Sequence, residues 1–379
     1  MAWDALAAYD TLTGGYSRAL RVDELCRLAA ERFPGTLPGA AELAAEAKLP
    51  QRDKQGLEKA HGRFLGAVLG DPRAGTHLCR SMLLPREDSR KYLAQFESQG
   101  ELELAGARLS RQGKAALLTL RNPRYLNAED ETTLEGMEIA TDVALLDRKT
   151  ELVVLRGDTV THTKHAGKRV FGAGINLTHL YQGKIRYLWY MIRDLGFVNK
   201  FLRGLAIPGV HPEEDSIEKP CVAAVESFAI GGHCQILLTL DYVVAAEDAY
   251  LTLPARKEGI IPGAANLRLP RFVGPRVARQ AILAGRRLDC VSPEGRRICD
   301  EIVPAAEMDR AIERLVALLT DSGVVSAAGN RRALRSGEEP LDQFRRYMAV
   351  YAREQALCHF SPALIANLEK HWDAANRAA

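Results

Sequence analysis

The stretch that most constrains this chain is a junction. The unbroken apolar run Cys221-Val222-Ala223-Ala224-Val225 reads as a buried strand, and Ile236-Leu237-Leu238-Thr239-Leu240 is compatible with a helix. Between them stands Ala229-Ile230-Gly231-Gly232-His233-Cys234-Gln235. A glycine pair at such a crossing lets the backbone turn tightly, because a residue without Cβ enters left-handed conformations freely. The helix that starts there leaves its first N–H groups without intrahelical partners. Those donors suit an oxygen that gains negative charge. Taken alone, the pair is more simply read as a packing feature.

A second junction of the same kind lies upstream. The run 152–157, Leu-Val-Val-Leu-Arg-Gly, reads as a strand, and a polar loop with His162, Lys164, His165 and Lys168 follows. Phe171-Gly172-Ala173-Gly174-Ile175 then leads into helical text from Leu177. Before these comes a strand-like run at 115–121 and a turn at Asn122-Pro123-Arg124. A helix follows, with Glu129, Asp130 and Glu131 in its first turn, where the helix dipole favours acidic residues. Strand, helix and strand in this order make a βαβ unit and an α/β class. Upstream of Gly113 good helix formers dominate, and Val22, Leu25, Leu28 and Ala29 recur at helical spacing. Three regions are therefore expected: an all-α N-terminal accessory or assembly domain over 1–112, an α/β core over 113–305, and C-terminal helices over 306–379. No internal repeat is visible.

The totals exclude some classes. Lysine and arginine number 51 against 48 acidic residues, a net charge of +3, too small to mark a nucleic-acid partner. No apolar run approaches the roughly 20 residues a membrane-spanning helix needs. Residues 1–6 lack the basic-then-apolar pattern of a secretory signal. The seven cysteines show no CxxC spacing and have apolar neighbours, which suits reduced thiols and a cytoplasmic location. His162, His165 and His179 lie near one another in sequence, but an HxxH pair in a loop is a weak metal motif without a third ligand at known spacing. No metal is expected.

Five stations in order resemble the crotonase, or enoyl-CoA hydratase/isomerase, superfamily. Residues 120–128, Leu-Arg-Asn-Pro-Arg-Tyr-Leu-Asn-Ala, resemble its first strand and Asn-Ala turn, and 152–157 its second strand. Residues 171–175 resemble its F-x-A-G-x-D turn. Lys219-Pro220 and the run 223–235 resemble its central glycine block, and 259–263, Gly-Ile-Ile-Pro-Gly, its bend. The resemblance implies a crotonase-like spiral of ββα units, assembly into trimers or dimers of trimers, and a coenzyme A thioester as ligand. It also implies that the backbone N–H groups of Ile175 and Gly232 hold the thioester oxygen while an enolate forms. Donors fixed at helix starts do this without reorganising.

Departures from the family pattern redirect the chemistry. Hydratases of the family use two glutamates as acid and base. The first position is Gln235 here, an amide that cannot act as a carboxylate base. The second is Ala255, with Glu258 nearby but displaced along the chain. Addition of water is not expected. The runs 164–183 and 251–270 resemble the family's cofactor-independent dioxygenases that act on 3,5-dihydroxyphenylacetyl-CoA in glycopeptide-antibiotic biosynthesis. That resemblance implies O2 as co-substrate, 3,5-dihydroxyphenylglyoxylate and free CoA as products, and no cofactor. A thioester hydrolase or isomerase without oxygenation is the alternative. Ring hydroxyls need polar partners when buried, and Glu129, Arg193, Gln235 and His233 are the candidates, His233 also serving as a hydrogen-bonded structural residue. Ala255, Ile260 and Ile175 are the candidates for a small apolar oxygen pocket. Arg124, Leu126, Lys164, Lys168, Arg169 and Gly174 are those for CoA, with Lys370 reaching across a subunit boundary.

Overall fold

The computed structural model describes residues 3–211 and 213–376; Met1 and Ala2 of the N-terminal segment lie outside them. In chain order the strands are β1 (Glu101–Leu104), β2 (Ala107–Gln112), β3 (Ala115–Leu120), β4 (Leu152–Gly157), β5 (Leu205–Ala206) and β6 (Ser216–Ile217). They continue as β7 (Cys221–Val225), β8 (Phe228–Ile230), β9 (Tyr242–Ala246), β10 (Tyr250–Thr252), β11 (Leu288–Asp289) and β12 (Glu301–Val303). The main sheet has the order β1-β2-β3-β4-β7-β9-β12, antiparallel as far as β3 and parallel beyond it. Every residue of β7 is buried. An unbroken apolar run is what a central parallel strand covered on both faces requires.

A smaller sheet, β11-β10-β8, forms a second layer. The chain alternates between the two sheets and then turns into a helix. Thus β7, β8 and the helix Gly232–Leu237 form one unit, and β9, β10 and the helix Ala255–Glu258 form the next. Two earlier units use single bridges in place of a strand. Gly172 bridges Ala229 of β8 ahead of the helix Leu177–Tyr181, and Glu129 bridges Ile175 ahead of the helix Glu131–Leu146. Successive turns of this ββα spiral therefore bring Glu129, Ile175, Gly232 and Glu258 to one region.

One expectation is corrected. Residues 101–112 are not helical but form the β1–β2 hairpin, turned at Gly106 with φ 80°. Helix-forming composition misled the reading. The true signal is alternation, with Leu102, Ala107 and Leu109 buried between exposed neighbours. The hairpin extends the core sheet, so helical structure at the N-terminus ends with Ser89–Gln99.

The two ends of the chain meet. The helix Lys59–Gly70 packs along Leu341–His359. A Cβ at Gly62 would stand 2.5 Å from Ala356 Cβ and 2.8 Å from the Ala352 carbonyl oxygen, and one at Gly66 would stand 2.6 Å from Arg353 Cγ. Glycines one turn apart thus allow a close crossing, and the crossing fixes Tyr351 over the site. Among the described residues no helix is long and apolar enough to cross a membrane.

Candidate functional site

Two glycine turns lie side by side. Gly231 adopts φ 55° and ψ −118°, a conformation closed to residues with a Cβ, and the helix Gly232–Leu237 starts behind it. Gly174, with φ 79°, approaches so closely that a Cβ there would lie 3.2 Å from the Gly232 nitrogen. Main-chain bonds stitch the turns together: Ile230 N–H donates to Gly172 O (2.9 Å), Gly231 N–H to Thr252 O (2.8 Å), and Glu129 N–H to Gly174 O (2.7 Å). Asn127 anchors the neighbouring turn by donating to Asp158 O and Val170 O. Among the described residues, the N–H groups of Ile175 and Gly232 have no acceptor. They are the two donors left over where the turns face each other.

His233 holds this arrangement from behind. Its Nδ1 accepts from Gly174 N–H at 2.9 Å, and its ring packs where a Cβ on Gly172 would stand. Burial pushes its pKa down to about 4, so the ring is neutral at neutral pH. It lines neither of the cavities described below.

Arg193 is the hub of the inner wall and is 2% exposed. Its Nε and Nη2 donate to the two oxygens of Glu129 at 2.9 and 2.8 Å. Nη2 also donates to Gly232 O, and Nη1 to Asp194 Oδ1 and Gln235 Oε1. All five guanidinium donors are used, and the paired carboxylates keep its pKa above the ordinary arginine value against the opposing effect of burial. Gln235 Nε2 donates in turn to Asp194 Oδ1 at 2.9 Å. A Cβ at Gly263 would stand 2.0 Å from that Nε2, so the bend 259–263 can close on the amide only because residue 263 is glycine.

The site has two compartments. An inner cavity of about 30 Å3 is lined by Ile175, Trp189, Tyr190, Arg193, Asp194, Gly231, Gly232, Gln235, Glu258, Ile260, Ile261, Pro262, Gly263 and Tyr351. It has room for about one or two water molecules. An outer groove of about 710 Å3 is bordered by Arg124, Leu126, Lys164, His162, His165, Trp372 and Asp373 among others. Ile175 and Glu258 line both.

The structure sorts the sequence candidates. Ile175, Gly232, Gln235, Arg193 and Ile260 line the inner cavity, and Arg124, Leu126 and Lys164 the groove. Glu129 lies behind Arg193 and lines neither, and Gly174 serves the turn. Ala255 is buried and also lines neither. Lys168 and Lys370 are outside both linings, while Arg169 borders a different groove beside Arg156 and Asp309. His179 pairs with Asp130 at 2.9 Å. Among the described residues no group of three His, Cys, Asp or Glu side chains could hold a metal ion.

Lining residues that were not among the sequence candidates include Trp189, Tyr190, Asp194, Glu258, Ile261 and Tyr351. The Tyr351 hydroxyl is buried beside Asp194. Glu258 is 4% exposed, and burial pushes its pKa up to about 7. Asp194 and Tyr190 sit on the aromatic-rich helix Tyr187–Leu195 beside Arg193, a signal the sequence did carry.

Comparison with known proteins fits this geometry. Residues 110–348 match the enoyl-CoA hydratase/isomerase family. The chain is 48% identical over 350 residues to the (3,5-dihydroxyphenyl)acetyl-CoA 1,2-dioxygenase of Amycolatopsis orientalis, covering 92% of this chain and 80% of that protein. It is 30% identical over 203 residues to a probable enoyl-CoA hydratase of Rhizobium meliloti (strain 1021), covering 53% and 69%. A solved enoyl-CoA hydratase from Mycobacterium avium subsp. paratuberculosis K-10 superposes with a TM-score of 0.58 at 19% identity, covering 73% of this chain and all of that one. Sheet order, paired glycine turns and sequence agree: the chain belongs to the enoyl-CoA hydratase/isomerase, or crotonase, family.

Proposed function

We propose that this protein is a dioxygenase of aryl-acetyl-CoA thioesters, converting (3,5-dihydroxyphenyl)acetyl-CoA and O2 to 3,5-dihydroxyphenylglyoxylate and CoA without metal or flavin, in the biosynthesis of a glycopeptide-type antibiotic. The observation that carries this is the joining of unpaired Ile175 and Gly232 N–H donors to an inner pocket with an amide, Gln235, among aromatic and aliphatic walls. The similarity to the Amycolatopsis enzyme supports the choice of substrate.

The thioester oxygen accepts from the two N–H groups, which stabilise negative charge as the enolate forms; removing one such donor costs about 2.7–4 kcal/mol. The aryl ring enters between Trp189, Tyr190 and Tyr351. Its hydroxyls meet Gln235, Asp194 and the Tyr351 hydroxyl. Arg193, its donors spent, acts with Glu129 to hold Asp194 and Gln235 in place. The CoA arm lies in the outer groove, with Arg124 and Lys164 near its phosphates. Ile175, Ile260 and Ile261 give the apolar wall beside which O2 accepts an electron from the enolate. The peroxide that forms at the α-carbon attacks the thioester carbonyl and expels CoA. Exclusion of water protects these intermediates.

Large apolar side chains exposed within 318–334, Leu318 at 71%, Val325 at 85% and Leu334 at 63%, support assembly into a homo-oligomer, a trimer or dimer of trimers. The reaction is tested with isotopic oxygen. Under 18O2 both labelled atoms are expected in the keto acid, one in the ketone and one in the carboxylate. Incorporation of a single atom, or of none, rejects the dioxygenase reading.

A further inference from the structure

The substrate proposed above has two hydrogens on its α-carbon and the keto acid has none, so two protons must leave that carbon. The site holds several titratable groups, and most are already committed. Glu129 is engaged bidentately by Arg193 and lines neither compartment. Asp194 accepts from Arg193 and from Gln235. His233 Nδ1 accepts from Gly174 N–H. The Tyr190 and Tyr351 hydroxyls are held well above the ordinary tyrosine pKa by burial.

Glu258 differs from all of these. Its side chain makes no hydrogen bond or ion pair among the described residues, although it is 4% exposed. It shares with Ile175 the boundary between the inner cavity and the groove, where the thioester carbon would lie. Its Oε1 lies 4.0 Å from the point where a Cβ on Gly231 would stand, next to the Gly232 donor. A buried carboxylate without a partner costs folding free energy and returns none. Such a group in a cleft is a candidate for function.

We infer that Glu258 is the base that takes the α-protons of the thioester. This rests on the aryl-acetyl-CoA reading above. In the first transfer the α-C–H bond breaks and the proton passes to the carboxylate. The bonding pair moves into the bond to the carbonyl carbon, and the carbonyl π pair moves onto oxygen, held by Ile175 and Gly232. When the peroxide displaces CoA, the thiolate leaves with the sulfur–carbon pair and takes the proton from Glu258. The regenerated carboxylate then removes the second α-proton as the O–O bond cleaves, giving ketone and carboxylate, and it releases that proton to solvent as the product leaves. One glutamate serves both transfers, and the atoms balance as one thioester plus one O2 giving one keto acid plus one thiol.

Titratable and charged groups face Glu258 from both compartments. From the inner side these are Tyr190, Arg193, Asp194 and Tyr351. From the groove they are Arg124, Tyr125, His162, Lys164, His165 and Asp373. Burial is the cause of its raised pKa of about 7, which leaves it poised near neutrality.

The test is α-hydrogen exchange of (3,5-dihydroxyphenyl)acetyl-CoA in D2O under anaerobic conditions, followed by mass spectrometry alongside aerobic O2 uptake. Wild-type protein is expected to exchange at a rate that rises with pH around a midpoint near 7. Glu258→Gln is expected to lose about 10²-fold or more in exchange, and Glu258→Asp to recover part of it. Substrate Kd is expected to stay within about threefold in both, as befits an interaction made in the transition state. Wild-type exchange by Glu258→Gln overturns the inference while leaving oxygenation standing. Exchange by the wild type without O2 uptake, lost in Glu258→Gln, sinks oxygenation and keeps the base. A wild type that does neither rejects both.

Discussion

At the scale of single residues, the proposed chemistry rests on three positions: Gly232, Gln235 and Glu258. A Cβ at Gly232 would lie 2.7 Å from Glu129 Oε2 and 2.9 Å from an Arg193 nitrogen. Gly232→Ala should therefore lower kcat/KM by about 10²–10³ through displacement of a donor; wild-type kinetics would show that the donor has no role. Gln235→Ala should reduce kcat/KM for the dihydroxylated substrate more than for phenylacetyl-CoA, by roughly tenfold. Equal losses would remove the ring contact. Glu258 has a stability signature with a definite sign. Its folded pKa of about 7 stands above the ordinary 4.5, so its contribution to stability is present below pH 4.5 and is lost as pH rises through 7. The Tm of Glu258→Gln relative to wild type should grow between pH 5 and pH 8; a constant difference contradicts the buried charge. Much of this level was legible in sequence. Gly232, Ile175 and Gln235 stand at motif positions, and all three reach the cavity. Ala255 did not, whereas Glu258, three residues further on, did. Along the chain Glu258 looks displaced from the family position, and only the fold of the short helix Ala255–Glu258 brings it to the cavity. Asp194 and Tyr351 went unseen because only folding brings them near Gln235.

Individual elements matter through the places where they cross. The spiral puts a backbone turn before the helices Glu131–Leu146, Leu177–Tyr181, Gly232–Leu237 and Ala255–Glu258. The helices run to 16, 5, 6 and 4 residues. This unevenness explains why no repeat is visible in the sequence although the structure repeats. The strands were legible because buried parallel strands are written as unbroken apolar runs, whereas the half-exposed hairpin β1–β2 was hidden by helix-forming composition. The helix Leu341–His359 reaches the site only by crossing Lys59–Gly70 at Gly62 and Gly66. Gly62→Ala should destabilise the protein by about 1–3 kcal/mol through overpacking against Ala352 and Ala356. It should also slow turnover, because Tyr351 lies one residue from Ala352. An unchanged denaturation midpoint would show that the crossing has slack.

For the whole molecule, the helical N-terminus and the C-terminal helices clamp a crotonase core whose inner cavity has a volume of only about 30 Å3. The groove outside it carries Arg124, Lys164, His162 and His165, a basic approach for a polyanionic ligand. Lys164→Ala should raise KM with little effect on kcat, and the difference from wild type should shrink at high salt as charges are screened. A kcat effect without a KM effect would move Lys164 out of CoA binding. The motifs placed the chain in its family, but they could not show that the pocket lies between the spiral and the chain's own C-terminal helices. We propose above that the site forms an enolate and passes it to oxygen, with no metal. It is tested most directly by following O2 and free thiol together on chelator-treated protein given (3,5-dihydroxyphenyl)acetyl-CoA. One thiol is expected for each O2 consumed, and no thiol release is expected anaerobically. Anaerobic thiol release at the aerobic rate, or activity that vanishes on chelation and returns with added metal, would contradict it.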